Sequence, residues 1–431
     1  VFTETQQQHW THGDSFRTGE VQRLTQLADE IASEIRKNQF KSYDTMDHYL
    51  TAKYLFLEQH FANILGDKFA CFGLKLFAFI APVYFRNLIQ HPKNADTQVY
   101  ARYLTFLIER NKHRPEYQQS DFEEILNTIE KRAIKAANGV GWGFMAPIDV
   151  ETLIVDPGVP VLHSTIMVLN AILAFTEVAG HNERQDVLIS GCRHIALDYV
   201  RTSISPGCQA ISYTTKDSTC IVNVSAEAAS LLARVAQHTG DESHIDVARS
   251  LIKFTLCMQE KDGSWPYSKR VSTTDLHHTA MVLISLIDIA NLELFRNSTT
   301  EVALAINDGV RYFLNEFFDR RGIATIVPGK KIWSSYSTPY AIDCLIRVCR
   351  SDHVSPDLRR RCQLILPKVV YEGVRAFRIR GESHVVERRM LIPCRMCAFR
   401  IGFAHFSSSL VTAAGVLDQM NPKSDLLCHP S

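Results

Sequence analysis

Leu276-His277-His278-Thr279-Ala280-Met281-Val282-Leu283 has a counterpart 114 residues earlier, Leu162-His163-Ser164-Thr165-Ile166-Met167-Val168-Leu169. Each copy opens an apolar run. Each also follows a glycine- and tryptophan-bearing loop, Gly139-Val140-Gly141-Trp142-Gly143-Phe144 before the first and Asp262-Gly263-Ser264-Trp265-Pro266-Tyr267 before the second. Midway between them Cys220-Ile221-Val222-Asn223-Val224-Ser225-Ala226-Glu227 opens another apolar run, and Thr338 in Trp333-Ser334-Ser335-Tyr336-Ser337-Thr338-Pro339-Tyr340 lies 59 residues after Thr279. The repeating unit is thus about two helices long. Units of this kind bury a face only by stacking on their neighbours.

Working outward, apolar residues spaced three and four apart predict helices on both sides of this repeat. The expected pairs are 20–38 with 44–65, 68–91 with 97–112, 120–138 with 160–180, 182–203 with 223–240, 243–260 with 275–291, 300–318 with 335–350, and 357–374 with 395–417. Ser120 with Glu123 has capping-box spacing, Thr274 or Asp275 can cap the helix through His277, and Pro160 suits a first helical position. Residues 139–158 lack either period and read as a long loop, while 209–215 and 377–380 read as short strands. The fold class is all-α: an (α/α)6 or (α/α)7 toroid of helical hairpins with minor β in loops. Residues 1–118 are expected to form N-terminal helical hairpins, either part of the toroid or an extension to it, with 119–420 as the toroid repeats and 421–431 as a tail. In a ring of outer and inner helices every loop leading into an inner helix lies at one end. Trp142, Trp265 and Trp333, three of four tryptophans, fall in that class of loop.

The chain has 431 residues, 46% of them hydrophobic and 22% charged, enough to bury a large core. Its 47 basic and 46 acidic side chains leave a formal charge of +1. No global field therefore steers nucleic acid to it, and none is expected as a partner. Eleven cysteines, spread singly and often inside apolar runs, suit reduced thiols in the cytoplasm. Lys75 and Arg86 interrupt the most apolar segment, 69–89, which reads as a buried helix rather than a membrane span. The start lacks methionine and a secretion signal, as expected of a trimmed chain or a piece of a longer one carrying a partner domain.

The helical-hairpin period, with Gln259-Glu260-Lys261-Asp262-Gly263-Ser264-Trp265 ahead of a histidine-bearing inner helix, resembles the α/α-toroid proteins. These include six-hairpin glycosidases, α/α-barrel polysaccharide lyases, uronyl epimerases, and the squalene cyclase and prenyltransferase group. The resemblance covers roughly residues 120–420 and implies the fold more than the activity. By analogy with the cyclase group, Gln259, Gly263 and Trp265 tie loop to helix. An Asp-x-Asp-Asp acid is absent from the sequence, and Asp275-Leu276-His277 has the spacing of a transferase zinc site without its thiolate. No metal and no cofactor are expected.

His277 and His278 point about 100° apart on a helix, so one can face the axis while the other packs or caps. An imidazole there suits general acid or base work, with His163 as its aligned counterpart. Tyr267, Tyr336 and Tyr340 come from the same loop class. A tyrosine beside a histidine suits proton abstraction next to a uronate carboxylate, which Arg270, Lys330 or Lys331 would neutralise. Asp149, Glu151 and Asp275 offer instead a carboxylate pair flanking a glycosidic bond. Trp142, Trp265 and Trp333 supply flat faces for sugar rings or an isoprenoid, with Asn223 at the matching helix start. The expected function is a carbohydrate-active enzyme on a glycan or glycan precursor, by uronate proton abstraction (lyase or epimerase) or by hydrolysis. The alternatives are an isoprenoid cyclase or transferase, favoured by a dry aromatic cavity, and a non-catalytic scaffold domain. Cys394-Arg395-Met396-Cys397 is a lone pair and reads as core, and the 139–143 glycines lack the rest of a dinucleotide fingerprint.

Overall fold

The computed structural model describes residues 18–44, 47–151, 153–180, 184–319, 321–377, 384–389 and 392–420. The tail at 421–431 and residues 378–380 of the second expected strand lie outside them. In chain order the helices are α1 (Thr18–Lys37), α2 (Ala52–Leu65), α3 (Asp67–Ile80), α4 (Pro82–Leu88), α5 (Thr97–His113), α6 (Gln119–Lys131), α7 (Leu162–Ala179) and α8 (Gln185–Asp198). They continue with α9 (Val222–Thr239), α10 (Ile245–Cys257), α11 (Leu276–Ala290), α12 (Thr299–Glu316), α13 (Ser337–Arg350), α14 (Pro356–Phe377) and α15 (Ala404–Gln419). The strands are short: β1 (Ile134–Lys135), β2 (Val140–Gly141), β3 (Ile148–Val150), β4 (Leu153–Val155), β5 (Arg201–Ser205), β6 (Cys208–Ile211), β7 (Ile332–Ser334), β8 (His384–Arg389) and β9 (Ile392–Met396).

Six helices form a closed inner ring: α5 packs on α7, α7 on α9, α9 on α11, α11 on α13, α13 on α15, and α15 back on α5. Outside them lie α6 on α5, α8 on α7 and α9, α10 on α9, α12 on α11, α14 on α13, and α1 on α15. The molecule is an (α/α)6 toroid. One main core fills the space between the two rings, for example Leu169, Ile195, Leu231, Leu251, Leu283 and Ile306, all fully buried. Inner helices are apolar on most sides because both rings cover them. That explains α7, which is long and apolar enough to cross a membrane by length and composition yet sits packed within the ring.

The repeat has a backbone signature. The first N–H of α7 donates to Tyr213 O at 2.9 Å, that of α9 to Tyr267 O at 3.0 Å, and that of α11 to Ile326 O at 2.9 Å. Each acceptor lies in the loop ahead of the next inner helix. A neighbouring unit therefore satisfies a donor that the cap residues Val161 and Ile221 cannot reach with their side chains. Trp142 and Trp265 repeat as well, their indole N–H groups donating to Ile129 O and Thr255 O, each at 2.9 Å. Gln259 Nε2 donates to Gly263 O at 3.1 Å and Ala305 O at 2.9 Å, joining this loop to α12. Gly263 has φ +89°, and a Cβ there would stand 2.4 Å from Asp308 O, so no other residue fits.

The structure departs from several expected boundaries. Residues 44–91 make no ring hairpin: α2, α3 and α4 form an appendage with its own small core of Tyr54, Leu74, Ala78, Phe85 and Ile89. The apolar run through 68–91 breaks at Ala81, because Pro82 restricts the residue before it and starts α4. Helix α6 begins one residue before Ser120, and its capping box is Gln118 with Asp121 rather than Ser120 with Glu123. The 139–158 loop contains two small antiparallel hairpins, β1–β2 completed from Ile134 and β3–β4. Phe377 ends α14 instead of starting a strand. Helix α8 ends at Asp198, and the last three residues of the 182–203 run begin strand β5, paired with β6, where the β-branched Thr202 and Ile204 favour extended backbone.

Candidate functional site

Asp275 is the N-cap of α11, its side chain accepting the His278 backbone N–H at 3.0 Å. Its carboxylate also meets both imidazoles, at 2.9 Å from His277 Nδ1 and 2.5 Å from His278 Nδ1. Burial opposes charge on this carboxyl, but the two imidazoles outweigh it and hold it well below the usual carboxylate range. Burial pushes His278 down, with Asp275 pulling the other way. Ligand atoms of Asp275, His277 and His278 lie within 4.8 Å of one another, so by position these three could hold a metal ion.

Aromatic rings lead from this cluster into the ring interior. Tyr267 packs on His278 at 4.7 Å between centroids, Tyr336 edge-on to His277 at 4.9 Å, Tyr340 on Tyr336 at 5.5 Å, and His405 on Tyr340 at 4.3 Å. Ser337 Oγ lies 3.2 Å from His277 Nδ1. Burial raises the phenols of Tyr267, Tyr336 and Tyr340, the last well above the tyrosine range. Arg102 on α5 donates to Tyr340 Oη at 2.8 Å and lies 5.2 Å from its ring centre. His405 on α15 pairs with Asp343 at 2.8 Å. Burial, supported by the Arg102 charge, pushes this imidazole down to about 4.

A second copy of the arrangement lies on the adjacent helices. His163 Nδ1 is 3.1 Å from Glu227 on α9, and His163 Nε2 is buried with no hydrogen-bond partner among the described residues. Asn223 Nδ2 donates to Met281 Sδ at 3.3 Å while its Oδ1 has no hydrogen-bond partner among the described residues.

Above this layer lies an axial cavity of about 450 Å3 that reaches the C-terminal ends of the inner helices at Lys112, Asn291 and Arg350. Arg102, Glu227, Met281, Tyr340 and Asp343 line its inner part, and Asn170, Arg234, Asp288 and Arg347 its wall. Arg234 donates to Asn170 Oδ1 at 2.9 Å, and Arg347 bonds Asp288. The lining is mixed: charged side chains of both signs stand among apolar ones such as Met167, Ala174, Ile284, Ile287 and Ile346.

The structure brings His163, Asn223, Tyr267, Asp275, His277, His278, Tyr336 and Tyr340 to the inner-helix starts, and only Tyr340 of these lines the cavity. The tryptophans are placed differently. Trp142, Trp265 and Trp333 are buried, the first two wedged by their indole bonds and Trp333 in β7 opposite Arg388. Asp149 and Arg270 are exposed, as are Lys330 and Lys331. Arg102, Glu227, Asp343 and His405 are not among the site residues expected from the sequence. Their signal was present, since each is an ionisable residue between two apolar ones in the first two turns of an inner helix: Ala101 and Tyr103, Ala226 and Ala228, Ile342 and Cys344, Ala404 and Phe406.

No protein-family model matches the chain, and no curated protein matches it. Solved structures do share the fold. A possible GH105-family member from Salmonella enterica aligns with a TM-score of 0.58 at 9% identity, covering 97% of this chain and 100% of that one. A cellobiose 2-epimerase from Bacillus thermoamylovorans gives 0.55 at 10% identity over 73% and 87%, and a sugar epimerase from a ruminal bacterium 0.54 at 10% over 75% and 87%. The chain thus has the toroid that several carbohydrate-active enzyme families share. Identity this low speaks for the fold alone.

Proposed function

We propose that the protein is a carbohydrate-active enzyme that binds a saccharide in the axial cavity and removes a proton from a carbon next to a carboxylate or carbonyl, as a lyase or epimerase does. The observation that carries this reading is the continuous column His277–Tyr336–Tyr340–His405, which joins the inner-helix starts to the cavity floor with Arg102 held on Tyr340. A buried neutral imidazole can accept a proton, and a phenol can protonate the leaving or opposite face. Arg102 places a positive charge where a substrate carboxylate or developing oxyanion would stand. In this reading Tyr340 is the phenol that meets the substrate at the cavity, His405, Tyr336 and His277 are the acid–base groups stacked behind it, His278 adjoins them, and Asp275 and Asp343 orient the rings. His163, Asn223 and Glu227 form the adjoining wall.

The charged side chains of both signs along the cavity support a saccharide over an isoprenoid, which calls for a dry aromatic surface. Hydrolysis would need two carboxylates across the scissile bond, and Glu109, Glu227, Asp288 and Asp343 are the carboxylates that line the cavity. The described cysteines are free thiols, which supports a reducing compartment such as the cytoplasm. The test is incubation with a panel of uronic-acid glycans and reducing disaccharides in heavy water. Unsaturated, ultraviolet-absorbing ends or deuterium at the carbon next to the carboxyl or carbonyl is the expected result. New reducing ends without either would assign hydrolysis instead and overturn the proton-abstraction reading.

A further inference from the structure

Residues 55–88 hold eleven of the twenty large apolar side chains found exposed among the described residues, although they make up a small part of the chain. Leu55, Phe56 and Ile64 on α2, Phe69 and Phe72 on α3, and Tyr84 on α4 are representative, with Phe69 75% and Phe56 69% exposed. A patch of this density is unusual on a soluble surface and marks an interaction site.

The patch is held rigidly. Beneath it lies the Tyr54, Leu74, Ala78, Phe85 and Ile89 core. Arg86, fully buried, ties α4 to the preceding segment through Asp47 at 2.8 Å and His48 Nδ1 at 2.9 Å. Both α3 and α4 pack on β9. Chain connectivity fixes the side of the molecule: α4 leads directly into the start of α5, and β9 leads toward the start of α15. The patch therefore lies at the inner-helix N-terminal end, opposite the end that the cavity reaches.

The charges choose the occupant. Lys53, Lys68 and Lys75 are exposed on these helices, against one exposed acid, Asp67; Glu58 and Lys93 are half-buried. In a two-fold contact between copies, three lysines against one exposed acid would leave a surplus of positive charge buried without partners. An anionic bilayer accepts both features, taking the aromatic side chains into the headgroup boundary and pairing the lysines with lipid phosphates. Neither α3 nor α4 crosses it alone. At 14 and 7 residues, α3 and α4 are each shorter than the hydrocarbon layer, and they meet at a bend of 116°.

We propose that α2, α3 and α4 seat the toroid on an anionic lipid bilayer, with the cavity mouth facing away into water. The test is flotation of the full chain with vesicles of phosphatidylcholine alone or mixed in equal parts with phosphatidylglycerol. The mixed vesicles should carry the protein, and the pure ones at least about tenfold less, with Lys68→Glu/Lys75→Glu matching that loss. Phe69→Asp/Phe72→Asp should abolish flotation while leaving the thermal melt unchanged, since both side chains are exposed. Absence of flotation with either vesicle, or flotation that the double aspartate variant retains, overturns the proposal. A concentration-dependent dimer that this variant dissociates assigns the face to a second copy and overturns it equally.

Discussion

Asp275 carries two loads at once, and substitution separates them. As an N-cap its side-chain oxygen holds the His278 N–H, and as a carboxylate it orients two imidazoles. Asp275→Asn keeps the cap and removes the charge, so the melt should shift little while turnover on the substrate the panel identifies falls sharply. Asp275→Ala should also lose stability, by about 1–2 kcal/mol in denaturant titration. His277→Ala and His278→Ala should differ in effect, because only His277 touches the Tyr336 and Tyr340 rings; equal mild losses would leave the pair a loop-holding role. His384 is a contrasting case. It stacks on Phe377 at 4.8 Å, neither ring nitrogen has a partner among the described residues, and burial pushes it down to about 3. The unfolded chain takes up this proton below about pH 6.5 and the folded chain does not, so the stability present at neutral pH declines as pH falls from about 6.5 toward 3. His384→Phe should raise stability at neutral pH by about 1 kcal/mol and flatten the acid limb by about 1.4 kcal/mol per pH unit, read from urea melts.

Among the elements, the outer helices press closely on the repeated tryptophans. A Cβ on Gly309 in α12 would meet Trp265 Cζ3 at 2.4 Å and Cη2 at 2.5 Å, in an indole already fixed by its bond to Thr255 O. Alanine normally stabilises a helix interior by about 1 kcal/mol relative to glycine. Here overpacking opposes that gain, and Gly309→Ala should destabilise by about 1–3 kcal/mol in chemical denaturation. Gly73 in α3 has nothing within 4 Å of its added Cβ. Gly73→Ala should therefore keep the propensity gain, and the opposite signs of the two variants test the packing argument.

At the scale of the whole molecule, ring closure distinguishes this fold from an open stack of hairpins. An open array loses one nearest-neighbour interface when a terminal unit is removed and unfolds in parts. Here α15 packs against α1, α5 and α13 together, so the last helix in sequence completes the ring begun by the first ones. Truncation before Ala404 should abolish cooperative unfolding by circular dichroism, rather than lower the signal by one hairpin's share. A truncated chain that still melts in one sharp transition would show that closure contributes little.

Periodicity alone carried much of the architecture. The Leu276–Leu283 and Leu162–Leu169 copies, the tryptophan loops and the apolar spacing identify stacked helical pairs, because a doubly covered helix must be apolar on most of its faces. The His277 and His278 starts, with Tyr267 and Tyr336, were legible for the same reason: helix starts of one class share one end of a ring. Three things needed tertiary structure. The number of ring pairs depended on whether 52–88 enters the ring, and both a buried helix and an exposed apolar appendage give the same hydrophobic run. The tryptophans could serve as sugar platforms or wedges, and only the carbonyls of Ile129 and Thr255, brought near by packing, place the indoles inside. The cavity floor joins Arg102 to Tyr340 and Asp343 to His405 across as many as 238 residues of sequence. No local pattern encodes such a pairing, since it exists only once the ring has closed.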